Sequence, residues 1–217
     1  MPSHSGVAKQ VLRTARKTTR RQDYSSSTKR ALIESAAELF TERGYAGTSL
    51  DEVVAAARVT KGALYHHFAS KLDLFESVFL KVQREATDEI TAAFGKIKDP
   101  WERAEAGLVA FLKVCRRPEY RRICMQEGPV ALGHERWQEV EREASFGIVE
   151  RTVVDLLDQV GEELQTLREP FTVVFYGAMR SAAEYVADAD DPESASEEVL
   201  ATIGAILLGM RSLQPTD

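Results

Sequence analysis

The run Thr60-Lys61-Gly62-Ala63-Leu64-Tyr65-His66-His67-Phe68, with Lys71 shortly beyond it, constrains this chain more than any other feature. Before it, from about Thr48 to Ala57, Leu50, Val53, Val54 and Ala57 recur at i, i+3, i+4 and i+7, the spacing of one apolar helix face. Two short helices separated by the few residues around Arg58 form a helix-turn-helix, whose second helix is shaped to lie in a major groove.

A longer helix comes first, over roughly Thr28–Arg43, with Leu32, Ala36, Leu39 and Phe40 on one face and Gly44 as its stop. Thr48 or Ser49 can cap the second helix, with Asp51 or Glu52 completing a capping box, and Thr60 can cap the third. A capped N-terminus also offers free backbone N–H groups to a phosphate. On the third helix Leu64 and Phe68 lie one turn apart and face the core, which turns Gly62, Ala63 and His66 away from it. Lys61 and Tyr65 sit on the flank, long enough to reach phosphates or base edges. Gly62, without a Cβ, lets the backbone come close to the groove.

The series Ala37-x-x-x-Phe40, Gly44-Tyr45, Thr48-Ser49, Val59-Thr60-Lys61-Gly62, Leu64-Tyr65, His67-Phe68, Lys71 and Leu74 resembles the DNA-binding domain of the TetR family of bacterial transcriptional regulators. That resemblance implies that Lys61 and Tyr65 contact an operator, that His67 and Lys71 hold phosphates, and that Thr48, Ser49 and Thr60 anchor helix ends to the DNA backbone. The chain departs from the family pattern at Arg58, where glycine is usual. With a positive φ, a side chain there costs about 1 kcal/mol, and an added cation near phosphate is a candidate compensation.

Net charge of −6 seems to argue against nucleic acid, but the charge is unevenly spread. Residues 1–81 carry 13 Lys and Arg against 8 Asp and Glu, while the rest of the chain carries 15 against 26. A basic head on an acidic body is the pattern of a DNA-reading protein. Lys9, Arg13, Arg16, Lys17, Arg20 and Arg21 concentrate the excess in a polar segment that reads as a disordered arm along phosphates or in a minor groove. A merely solvated tail is the alternative.

The stripe Leu72, Phe75, Phe79, Val82, Ala86, Ile90 and Phe94 predicts a fourth, connecting helix. Prolines then fall at helix starts, in Asp99-Pro100, at Pro118 and Pro170, and in Asp191-Pro192. No stretch alternates with period two, so the expected fold is all-α. It comprises an N-terminal three-helix helix-turn-helix domain and a C-terminal helical effector-binding and dimerisation domain, about nine helices altogether. The expected divisions are a basic arm over 1–27, the DNA-binding domain over 28–75, and the helical body over 76–217. The segment Glu127–Gly133, flanked by glycines, resembles a linker found in effector domains of some actinobacterial family members.

The resemblance also implies a twofold homodimer built from the last two helices, where Gly177, Ala178, Ser181, Gly204, Ala205 and Gly209 permit close approach. It further implies a small-molecule pocket in the body. Candidate lining residues are Phe111, Cys115, Met125, Trp137, Phe146, Phe175, Tyr176 and Met179, with Tyr176, Arg180 or Glu184 as polar handles. Aromatic and methionine side chains at helical spacing are also ordinary core.

An all-α enzyme and a helical interaction module that never touches DNA are the competing classes. His66 and His67 project about 100° apart on a helix and cannot chelate one metal together. No H-E-x-x-H, phosphate-binding glycine loop or G-x-S-x-G occurs. Glu139, Glu141 and Glu143 read as a solvated acidic face, and Cys124, beside Arg121 and Arg122, as either a lowered-pKa thiol or a buried inert one. No cofactor, metal or catalytic residue is expected. No apolar run approaches a membrane span, no secretory signal is apparent, and scattered cysteines suit a reducing cytoplasm. The reading is a cytoplasmic, ligand-responsive regulator, a repressor binding a partly palindromic double-stranded operator as a dimer.

Overall fold

The computed structural model describes the backbone of residues 4–213 and the side chains of residues 25–213, and every regular element among them is helical. The backbone divides into two compact units, residues 1–78 and 79–217.

In the first unit α1 (His4–Gly47) is followed by α2 (Leu50–Ala56), α3 (Lys61–His67) and the start of α4 (Lys71–Phe94). The helix begins well before Thr28, inside the segment expected to be a disordered arm; Ala, Lys, Gln, Leu and Arg there are good helix formers and no proline interrupts residues 4–24. The arm's contacts lie outside the described residues. Gly44 breaks the helical run with φ 74°, in the region open to glycine, as its reading as a stop requires.

The turn into α2 is held by Thr48, whose hydroxyl donates to the Gly44 carbonyl at 2.9 Å. Ser49 makes the cap: the Glu52 N–H donates to Ser49 Oγ at 3.3 Å, and the Ser49 N–H donates back to Glu52 Oε2 at 2.8 Å. Arg43 pairs with Glu52 at 2.7 Å, tying the end of α1 to that cap. Leu32, Ala36, Phe40, Val53, Leu64, Phe68, Leu74 and Phe75 are buried. Phe75 stands edge-on to both Phe40 and Tyr45, with ring centroids 5.2 and 5.1 Å apart, an arrangement favoured by the ring quadrupoles.

The second unit contains α5 (Pro100–Arg116), α6 (Pro118–Tyr120), a π-helical stretch (Arg121–Glu127), α7 (Gly128–Leu132), α8 (His134–Leu157), α9 (Glu162–Gln165), α10 (Arg168–Asp188) and α11 (Pro192–Arg211). Asp99 and Asp191 cap α5 and α11 by accepting backbone N–H bonds, and Pro100 and Pro192 follow in the first turn, where a missing N–H costs nothing. The segment expected to be a linker, Glu127–Gly133, is instead mostly helix and stops at Gly133, φ 80°. Gly128 explains the difference. A Cβ there would lie 2.9 Å from both Phe79 and Trp137, so glycine lets this helix press into the core, and Trp137 Nε1 donates to the Cys124 carbonyl at 2.8 Å. Trp101, Ala104, Val153, Leu156, Leu157, Val160 and Met210 form a further buried cluster uniting α5, α8 and α11.

Candidate nucleic-acid interface and body cavity

The recognition helix is fixed from within. Thr60 Oγ1 accepts from the Ala63 N–H at 3.2 Å, and Leu64 and Phe68 bury one face of α3 completely. The opposite surface carries Gly62, His66 and Tyr65, exposed, with Tyr65 at 56% of its full area. Ala63 is half-buried at the edge of that surface. The Tyr65 ring therefore contributes nothing to the buried face of this seven-residue helix.

The cations are already positioned. Lys61 Nζ lies 2.7 Å from an Asp51 oxygen, and that hydrogen bond holds the ammonium above its ordinary range. In this structure the Lys61 ammonium is paired with the Asp51 carboxylate. Lys71 Nζ stands 4.4 Å from the Tyr45 ring centroid, a cation–π contact that leaves the ammonium otherwise free to pair with an anion. His67 is half-buried, and burial, followed by His66 and Lys29, pushes its pKa below the usual value. At neutral pH it is an uncharged donor rather than a cation.

Thr48 and Ser49, both expected at the DNA backbone, also make bonds within the protein. Thr48 is 2% exposed and its hydroxyl holds the turn, while Ser49 Oγ closes the capping box. Thr48 is buried and Ser49 exposed, and both backbone N–H groups are already bonded, that of Thr48 to the Tyr45 carbonyl at 3.5 Å and that of Ser49 to Glu52.

Arg58 is the one non-glycine residue with positive φ among the described residues, at 55°. The Val59 N–H donates to the Val54 carbonyl and the Arg58 N–H to the Ala55 carbonyl, both at 3.2 Å, the two bonds of a Schellman helix end. The position therefore calls for glycine, and an exposed arginine occupies it.

Within the body, α4, α5, α8, α10 and α11, with Tyr120, line a partly open cavity of about 130 Å³. Phe111, Phe175, Tyr176 and Met179 line it. Cys115, Met125, Trp137 and Phe146 do not: Cys115 and Trp137 are buried core, Met125 is half-buried elsewhere, and Phe146 packs edge-on against Tyr176 with ring centroids 5.3 Å apart. The lining also includes residues with no apolar signal in the sequence, Gln83, Thr87, Ser145 and Thr152.

Glu141 belongs to this lining, not to a solvated face. Glu139 and Glu143 are exposed, but Glu141 lies about 200° around the helix from Glu139. Tyr176 donates its hydroxyl to Glu141 Oε2 at 3.0 Å. Burial raises the Glu141 pKa, and burial together with that carboxylate pushes Tyr176 up to about 12. Arg180 is occupied: it sits 5.4 Å from the Trp137 ring centroid, reaches Glu184 at 3.4 Å, and donates to the correctly oriented Gln138 carbonyl at 2.9 and 3.2 Å. Cys124 is fully buried and its thiol is held well above its ordinary pKa, which removes the reactive-thiol reading.

A capped two-helix motif with an outward aromatic and flanking cations defines a helix-turn-helix DNA-binding protein. The family models agree. Residues 32–78 match the one described as bacterial regulatory proteins, tetR family, and residues 101–210 match the tetracyclin repressor-like C-terminal domain. The chain belongs to the TetR family.

It is 32% identical over 121 residues to the transposon Tn10 TetC protein of Escherichia coli, covering 56% of this chain and 59% of TetC. It is 31% identical over 101 residues to the transcriptional repressor BepR of Brucella suis, covering 46% of this chain and 48% of BepR. The chain thus spans 48% to 59% of the length of these relatives. A solved TetR-family transcriptional regulator from Pectobacterium atrosepticum superposes with a TM-score of 0.73 at 28% identity, over 87% of this chain and 96% of that one.

Proposed function

We propose that this protein is a homodimeric repressor that binds a partly palindromic operator through two copies of α3 and leaves it when a small molecule enters the body cavity. One observation carries the reading: α3 buries Leu64 and Phe68, is capped by Thr60, and spends its remaining surface on Tyr65, Gly62 and His66 beside Lys61. Tyr65 and Lys61 read base edges, while Lys71, the neutral His67 N–H and the basic arm contact phosphates.

The dimer is supported by apolar surface on the last two helices. Val174 and Leu208 are 67% and 69% exposed, with Val173 and Ile206 also open. Gly177, Gly204 and Gly209 have no atom within 4 Å of where a Cβ would stand, which leaves room for a neighbouring helix. A twofold pair presents two recognition helices to one palindrome. Effector control is supported by the body cavity, whose filling has to favour one dimer geometry by only about 1–3 kcal/mol to change operator affinity 5- to 150-fold.

Among the described residues no helix is long and apolar enough to cross a bilayer. A cytoplasmic regulator without catalytic activity is the reading that accounts for both units. It is tested by selecting bound duplexes from a random DNA library with the purified protein. Enrichment of a partly palindromic sequence supports it; recovery of unenriched DNA across ionic strengths contradicts it.

A further inference from the structure

The cavity has two chemically different ends. Phe79 and Trp137 meet at Gly128, and Arg180 lies over Trp137. One helical turn from these residues stand Gln83 on α4, Glu141 on α8 and Tyr176 on α10, so three helices bring polar groups to one level of the lining. Farther along α8 the lining is Val149, Val153 and Leu156, joined by Phe94 and Leu207, and the one hydroxyl on that stretch of the helix, of Thr152, is bonded to the Ile148 carbonyl at 2.9 Å. From Glu141 to Leu156 the helix rises about 22 Å.

The polar end is specific in what it lacks. Gln83 is 3% exposed, and its Nε2 has no hydrogen-bond partner among the described residues although it lines the cavity. A buried donor left in this condition is costly, and a ligand acceptor removes the cost. Opposite needs apply at Glu141, which takes one donor from Tyr176 and has oxygen lone pairs remaining. Arg180 is held by Glu184, Gln138 and Trp137, so it is not the counter-ion for an incoming anion.

A carboxylate head would meet the Glu141 carboxyl group, and an ammonium head, a donor only, would leave the Gln83 amide donor without an acceptor. A hydroxyl both accepts from Gln83 and donates to Glu141. We propose that the cavity selects an elongated, mainly apolar molecule with an uncharged hydroxyl head, held between Gln83 and Glu141. This rests on the reading of the body as an effector domain.

The test uses the full-length protein and three probes with the same eight-carbon tail, 1-octanol, octanoate and octylammonium, measured by calorimetric titration and by release of a labelled operator duplex. The expected result is that 1-octanol binds at least tenfold more tightly than either charged probe, and that Gln83→Leu weakens 1-octanol about five- to tenfold. A Gln83→Glu variant that still folds restores no preference for octanoate. Tighter binding of octanoate or octylammonium, no binding of 1-octanol, or unchanged 1-octanol affinity in Gln83→Leu overturns the proposal. Tight 1-octanol binding without duplex release leaves the head-group assignment standing and contradicts the effector reading instead.

Discussion

Replacing Arg58 with glycine separates a structural cost from a functional gain at one position. The residue sits at φ 55°, with both Schellman bonds formed around it. A Cβ in this region costs about 1–2 kcal/mol, and glycine returns about 0.5–1 kcal/mol of that as extra freedom in the unfolded chain. Arg58→Gly is therefore expected to stabilise the helix-turn-helix unit by about 0.5–1 kcal/mol. Trp101 and Trp137 both lie in the body and are blind to the head, so the assay is native-state hydrogen exchange at the Leu64 and Phe68 amides. Exchange there should slow about two- to fivefold, as follows from 0.5–1 kcal/mol. Arg58→Ala keeps the φ penalty and removes only the charge, so its exchange should match wild type. If the arginine is retained for phosphate, both variants lose duplex affinity, and the salt slope falls by about 0.9. Equal or faster exchange in Arg58→Gly refutes the strain argument, and unchanged duplex affinity in both variants removes the phosphate role.

Thr48→Val deletes the hydroxyl that satisfies the Gly44 carbonyl and should destabilise the head by about 1–3 kcal/mol, read by the same exchange experiment, while sequence preference in the folded fraction stays as in wild type. Glu141 has a raised pKa in the folded body, so its contribution is favourable below the unfolded carboxylate range and is lost as pH rises through the folded value. Glu141→Gln should remove that loss, making the variant relatively more stable at neutral than at acidic pH in urea unfolding followed by tryptophan fluorescence; a parallel pH profile contradicts it. Lys71→Ala should weaken all duplexes alike and lower the salt slope by about 0.9, measured by anisotropy across ionic strengths. Deleting residues 1–24 should flatten that slope further if the arm lies along phosphates. Val174→Glu on α10 should shift the protein to monomer in sedimentation velocity, with a matching loss of operator affinity.

The helix-turn-helix was legible because its signals are local. Ser49, Glu52 and Thr60 are caps at fixed offsets, and Leu64 and Phe68 repeat with the helical period. Arg58 was legible as a departure whose cost depends on one dihedral. The body was readable as helices but not as a container. Phe111, Phe175, Tyr176 and Met179 line the cavity, yet Trp137 and Cys115, equally apolar and equally periodic, are plain core, because periodicity assigns a face and not what that face meets. Gln83 and Glu141 were invisible for the opposite reason. On a helix, isolated polar residues read as solvated until a neighbouring helix covers them. The helix at Gly128–Leu132 was missed because glycine and proline signal a break, whereas here Gly128 serves a close approach to Phe79 and Trp137.

The central claim is that the outward face of α3 reads DNA bases. It is tested most directly by comparing wild type with Tyr65→Ala on the duplex selected from a random library and on a scrambled duplex of the same length, at several salt concentrations. The account predicts that the variant loses about 1–3 kcal/mol on the selected duplex, with scrambled-duplex affinity and the salt slope unchanged. A variant that keeps the wild-type ratio between the two duplexes contradicts it.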